Sequence, residues 1–148
     1  MHLFLSTYAN SVDKKSRISV PSSYRNILSS ETYNGVVAYP SIKHQAIELS
    51  GYNRIVEISK IIQSLDIYSQ ERDAFETVIL GEAVHLPFDG EGRIILPAKL
   101  KEYAGIEEQA VFIGKGLVFE LWNADNFAEH TNNAKKIAHD NRLLLKNL

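Results

Sequence analysis

The chain has 148 residues, 45% hydrophobic content, no cysteine and a formal net charge of −2. Its length suffices for one ordinary domain or two small interlocked ones. The lack of cysteine excludes a disulfide framework, a thiolate nucleophile and a Cys-based zinc site. No apolar run approaches the roughly 20 residues that span a bilayer, and the near-neutral charge means that any attraction to nucleic acid has to be local.

In chain order, residues 3–7 read as a strand, 8–16 as a turn-rich loop, and 18–20, where Ile18 and Val20 flank Ser19, as a half-buried strand. Pro21 ends that strand and can start a helix over 22–28, because proline in the first helical turn forfeits no needed hydrogen bond. A hairpin is predicted from 36–39 and 46–49 around a loop at 40–45. Ile55, Ile58, Ile61, Ile62 and Leu65 recur at helical spacing, which predicts an amphipathic helix over 54–65 with one apolar stripe. A polar stretch, 66–76, leads to predicted strands at 78–80 and 83–86.

A second proline-started helix runs from Pro97 to about Tyr103, with Gly105 as its C-terminal cap. A second hairpin, 110–113 and 117–122, turns at Gly114 and Gly116, two glycines expected to supply positive φ angles. Residues 125–148 read as mostly helical, with Ala134, Ile137, Ala138, Asn141, Leu144, Leu145 and Leu148 on or near one face. The N-terminus has no basic start followed by a long apolar region, so export is not expected and the chain reads as cytoplasmic.

One nine-residue pattern occurs twice. Residues 13–21 read D-K-K-S-R-I-S-V-P and residues 89–97 read D-G-E-G-R-I-I-L-P, so D-x-x-x-R-ϕ-x-ϕ-P, with ϕ apolar, returns 76 positions later. The offset between Glu48 and Glu120 is 72, which gives the first hairpin loop four extra residues. The chain is therefore an internal duplication, and each copy alone has too few short strands to stand by itself.

The two motifs, their spacing and the stretch G-K-G-L-V-F-E-L-W at 114–122 resemble the bacterial MraZ family over nearly the whole chain. The resemblance implies a mainly β fold with flanking helices (α+β). Two AbrB-like swapped-hairpin repeats would form an intramolecular pseudo-dimeric barrel, with 1–66 as the first repeat and its connecting helix, 77–124 as the second repeat, and 125–148 as a C-terminal helix. It implies a sequence-specific DNA-binding transcriptional regulator of the cell-division and cell-wall gene cluster. Such a protein would bind short G-rich direct repeats upstream of its own operon, form a homo-oligomeric ring, and reside in the cytoplasm in association with the nucleoid.

The site residues follow from both readings. An arginine offers a planar fork of donors that fits phosphate oxygens and the O6/N7 edge of guanine, and an aspartate four residues earlier can hold it or the loop backbone. Taken alone, each Asp/Arg pair would more simply be a structural surface ion pair. The resemblance assigns DNA contact to Arg17 and Arg93, with Lys14 and Lys15 adding phosphate contacts and Asp13 and Asp89 orienting the loops. Two departures from the family pattern matter: Ser16 stands where a glycine is usual, and Glu91 would repel phosphate, so the first motif is expected to dominate.

Two segments are locally basic. Residues 13–25 carry four cations against one aspartate, a net of +3, and 135–146 carry the same balance, although the apolar stripe of the latter argues for packing. His2, His44, His85, His130 and His139 show no ligand spacing, so no metal is expected, and no cofactor or small-molecule substrate is implied. Trp122, Phe119 and Phe127 are read as core or interface residues. Two rivals remain: a ring-forming scaffold or protein-interaction module without DNA binding, and a small hydrolase, for which no nucleophile motif is present.

Overall fold

The computed structural model describes residues 2–148 and has a mixed α+β architecture in which every strand pairing is antiparallel. In chain order the elements are β1 (Thr7–Ser11), β2 (Arg17–Ser19), α1 (Ser22–Leu28), β3 (Gly35–Pro40), β4 (Ile47–Ser50), α2 (Tyr52–Gln63) and α3 (Gln70–Phe75). A π-helical turn (Glu76–Leu80) follows, then β5 (Val84–Pro87), β6 (Arg93–Ile95), α4 (Ala98–Ala104), β7 (Gln109–Gly114), β8 (Phe119–Asn123) and α5 (Ala124–Asp140), with a 3-10 turn at Arg142–Leu144. Each half thus runs strand, short strand, seven-residue helix, hairpin.

The halves exchange partners. One six-stranded sheet has the order β1-β7-β8-β4-β3-β5, so the first strand of each half lies on the hairpin of the other and the hairpins meet at β4 and β8. Thr7 faces Ile113 and Ser11 faces Gln109, while Gly35 faces Pro87 and Ala38 faces Val84. The remaining strands, β2 and β6, form a separate ribbon with Ile18 opposite Ile94 at its centre.

The expected closed barrel is not formed. β1 and β5 remain edges of the sheet, and the ribbon pairs with neither, its one tie to β1 being the Asn10 side-chain amide that donates to the Ser19 carbonyl at 2.7 Å. Pro21 and Pro97 carry no N–H and lie just beyond strands of only three residues, so the ribbon uses its few backbone groups on itself.

The core sits between the sheet and a roof made of the ribbon and two short helices. Ile18, Val20, Tyr24 and Leu28 come from one copy, and Ile94, Leu96, Leu100 and Ala104 stand at the corresponding positions of the other; all are buried in one cluster with Val36, Leu49, Phe112, Phe119 and Leu121. On the opposite face Val37, Tyr39, Ile55, Ile62 and Ile79 form a smaller cluster under α2 and the π turn. Strand β3 is consequently buried on both faces, which is why its sequence is a continuous apolar run.

Several expectations are corrected by pairing that local pattern does not show. The strand expected at 3–7 begins at Thr7, and Phe4 makes only an isolated bridge to Gly116. Its residues T-Y-A-N-S lack apolar alternation because β1 is an edge strand held by its backbone. The apolar run at 78–80, expected as a strand, is a π-helical turn that buries Ile79 on α2 and β3. The polar stretch before it holds α3, whose N-cap Ser69 accepts the Arg72 N–H.

At the second hairpin only Gly116 has a positive φ, at 85°. Gly114 serves close approach instead, because an added Cβ would collide with the backbone of Phe4 and Leu5. The C-terminal stripe does not pack as expected: α5 buries no residue fully, and Ile137, Leu144 and Leu148 are exposed.

Candidate nucleic-acid interface

The two D-x-x-x-R segments fold into matching loops. Asp13 Oδ1 accepts the backbone N–H groups of Lys15 and Arg17, both at 2.9 Å, while Oδ2 accepts Arg17 Nε at 2.7 Å. Asp89 repeats this with the N–H groups of Glu91 and Arg93 at 2.9 Å and Arg93 Nε at 2.8 Å. An aspartate is needed because its short carboxylate can fold back on its own loop, accepting from residues two and four positions on.

In each loop the residue before the arginine has left-handed backbone, Ser16 at φ 63° and Gly92 at φ 76°. Gly92 is further constrained because Arg25 lies across it: a Cβ built there would stand 2.6 Å from Arg25 Nε. Gly92→Ala is therefore expected to cost about 1–2 kcal/mol from the left-handed backbone alone. Thermal unfolding of the variant against the parent checks this, and an unchanged midpoint would show that the loop relaxes freely.

Holding an arginine by Nε leaves its terminal N–H groups for another acceptor. Along the ribbon, side chains alternate between faces, so with Ile18 and Ile94 buried, Arg17, Ser19, Arg93 and Ile95 share the outward face. Arg17 stands opposite Ile95 and Arg93 opposite Ser19, which sets the two arginines diagonally across a two-stranded ribbon. Lys14 and Lys15 are exposed at the tip of the first loop. The second tip has Gly90 and Glu91 instead, and Glu91 Oε2 lies 3.7 Å from Arg93 Nη1.

Hydrogen bonding from the Arg17 backbone lowers the pKa of Asp13 below its ordinary 3.8, with the Arg17 side chain and Lys15 backbone adding to it. Asp89 is lowered in the same way, first by the Arg93 backbone. The Asp89 hydrogen bond in turn raises the pKa of Arg93. Because the folded-state pKa values are depressed, the loops gain order from ionised aspartates above the ordinary carboxylate pKa and lose it as pH falls through the lower folded values. On acidification below about pH 4, the amide resonances of residues 15, 17, 91 and 93 are expected to shift together. Titration of those amides with the ordinary exposed-carboxylate pKa would contradict the geometry.

The structure therefore brings Asp13 with Arg17, and Asp89 with Arg93, onto one ribbon. Sequence reasoning missed two residues beside these loops, Arg25 against Gly92 and Lys101, whose Nζ is 3.1 Å from Ser16 Oγ. Their separation of 76, equal to that of the motifs, was the available signal.

The remaining candidates lie elsewhere. His85 sits against the rings of Tyr33 and Tyr52, and His44 and His130 pack on Trp122. Trp122 and Phe119 are buried, and Phe127 is half-buried against Trp122. A cavity of about 520 Å³ between α2 and the sheet includes none of the loop residues.

A family model described as "MraZ protein, putative antitoxin-like" matches residues 79–147. The chain is 58% identical to a protein of Rickettsia felis named Transcriptional regulator MraZ, over 99% of each chain. Proteins of the same name from Rickettsia rickettsii and Rickettsia typhi are 58% and 56% identical, each covered over 99% of its length.

Proposed function

The chain belongs to the MraZ family, and on that premise we propose that it is a sequence-specific DNA-binding transcriptional regulator. The observation that carries this reading is the β2–β6 ribbon, which presents two aspartate-held arginines on one outward face. A two-stranded ribbon fits the major groove of B-DNA, and arginine reads guanine there through O6 and N7. Arg17 makes the principal base contact, Lys14 and Lys15 neutralise phosphates, and Arg93 contributes less because Glu91 competes for its guanidinium. Asp13 and Asp89 orient the loops.

The strand exchange between halves supports an AbrB-like swapped-hairpin arrangement, with 1–66 and 77–124 as the two repeats and 125–148 as a C-terminal helix. The targets are short G-rich direct repeats upstream of its own operon, in the cell-division and cell-wall gene cluster. Regulation works by occupancy, without catalysis, in the cytoplasm at the nucleoid. Assembly of copies into a ring would repeat the arginine ribbon and raise avidity for tandem sites.

A second reading, a ring-forming scaffold without DNA binding, is favoured by one observation: Leu143, Leu144, Leu145 and Leu148 expose their side chains at the C-terminus. Fluorescence-anisotropy titration on labelled duplex from upstream of the gene, against scrambled duplex at two salt concentrations, separates the readings. The regulator binds the upstream duplex more tightly, with affinity falling as salt rises. Equal binding to both duplexes would leave the scaffold.

A further inference from the structure

We infer that Arg25 and Lys101 are positioning residues that act crosswise, Lys101 holding the loop of Arg17 and Arg25 holding the loop of Arg93. This rests on the reading of those arginines as DNA contacts. Each cation projects from the short helix of one half and meets the residue before the arginine in the other half. Lys101, in α4, donates from Nζ to Ser16 Oγ at 3.1 Å. Arg25, in α1, lies against Gly92, where a Cβ would come within 2.6–2.8 Å of its Nε, Cζ and Cδ. The two cations are 76 positions apart, as are Ser16 and Gly92, so equivalent positions meet in both halves, once through a hydrogen bond and once through close packing.

The backbone crosses in the same way. Leu96 N–H donates to the Ser16 carbonyl at 2.8 Å, and Val20 N–H donates to the Gly92 carbonyl at 3.1 Å. Arg25 Nε donates in turn to the Val20 carbonyl at 3.1 Å, tying the cation to the strand end that receives the opposite loop. The loop residues match their cations: a serine hydroxyl accepts from a point-charge amine, whereas a bare glycine Cα admits a planar guanidinium. Both cations are half-buried against the loops, so they set loop position and leave the loop arginines to meet the DNA.

Sequence proximity would couple Arg25 to Arg17, eight residues away, but the structure couples it to Arg93. The test is a pair of double-mutant cycles on the full chain, read by anisotropy on the upstream duplex, with hydrogen exchange of the free protein alongside. Lys101→Met should weaken binding about fivefold in the parent and in Arg93→Ala, and cause no further loss in Arg17→Ala. Arg25→Met should show the mirror pattern, additive with Arg17→Ala and silent in Arg93→Ala.

Without DNA, the amides of residues 15 and 17 should exchange faster in Lys101→Met, and those of 91 and 93 in Arg25→Met, while Lys101→Arg, which keeps a cationic donor but not the compact amine, restores the parent pattern only in part. Losses that add in every background, or faster exchange in the loop of the same half, would overturn the crossed assignment. A crossed exchange pattern together with unchanged DNA affinity in Arg17→Ala would retain the positioning role and discard the DNA reading.

Discussion

Arg17→Ala is expected to remove specific DNA binding while leaving the fold intact. A bidentate arginine–guanine contact contributes about 1–3 kcal/mol, so each lost contact weakens the specific complex by roughly 5- to 150-fold. In an assembly that binds through several copies, such losses compound. The folding cost is small, because the Arg17–Asp13 pair is solvent-accessible and exposed ion pairs contribute little to stability. The loop itself keeps its frame: Asp13 Oδ1 still accepts the N–H groups of residues 15 and 17, neither of which needs the arginine side chain.

Arg17→Lys should fail to rescue, since an amine lacks the fork that reads two acceptors at once. Arg93→Ala should cost less, because the nearby Glu91 carboxylate already draws on that guanidinium. The measurement is anisotropy with oligomer size monitored in parallel. Parent-like affinity in Arg17→Ala would make the Asp/Arg loops structural.

The loops were legible because their chemistry is local. Asp13 and Arg17 lie four residues apart, Pro21 marks the helix that follows, and the same signals recur from Asp89 to Pro97. What escaped was set by pairing across the duplication. β1 is a strand because β7 bonds it, and its own residues carry no alternation. The run from Val78 to Leu80 has strand-like composition, yet it continues the turn of α3 because Ile79 buries against α2 and β3. Lys101 and Ser16 are 85 residues apart, a separation at which no periodicity links them. α3 could have been found, since Ser69 caps a first turn containing Glu71 and Asp73, which favour a helix N-terminus.

The largest effect on stability is expected at Tyr24, which is fully buried where the halves meet. It belongs to α1 of the first half, yet its ring packs against Phe112 and Phe119 of the second hairpin, at centroid distances of 6.2 and 4.7 Å, and edge-on to Phe4 at 5.4 Å. Its hydroxyl donates to the Ser6 carbonyl at 2.8 Å, where the backbone is left-handed at φ 75°. Burial pushes its pKa up to about 12, so that donor is present throughout the neutral range.

Tyr24→Ala removes the ring and the donor together and should cost about 3–5 kcal/mol, a large share of the roughly 5–15 kcal/mol that holds a domain folded. Tyr24→Phe keeps the ring and should cost only about 1 kcal/mol for the lost hydrogen bond. Because the ring joins residues from both halves, the destabilised variant should still unfold in one transition by denaturant, with fluorescence of Trp122 and far-ultraviolet dichroism moving together. Separate transitions for the two probes would mean that each half holds itself together, and the exchanged strands would then be an addition to two independent cores.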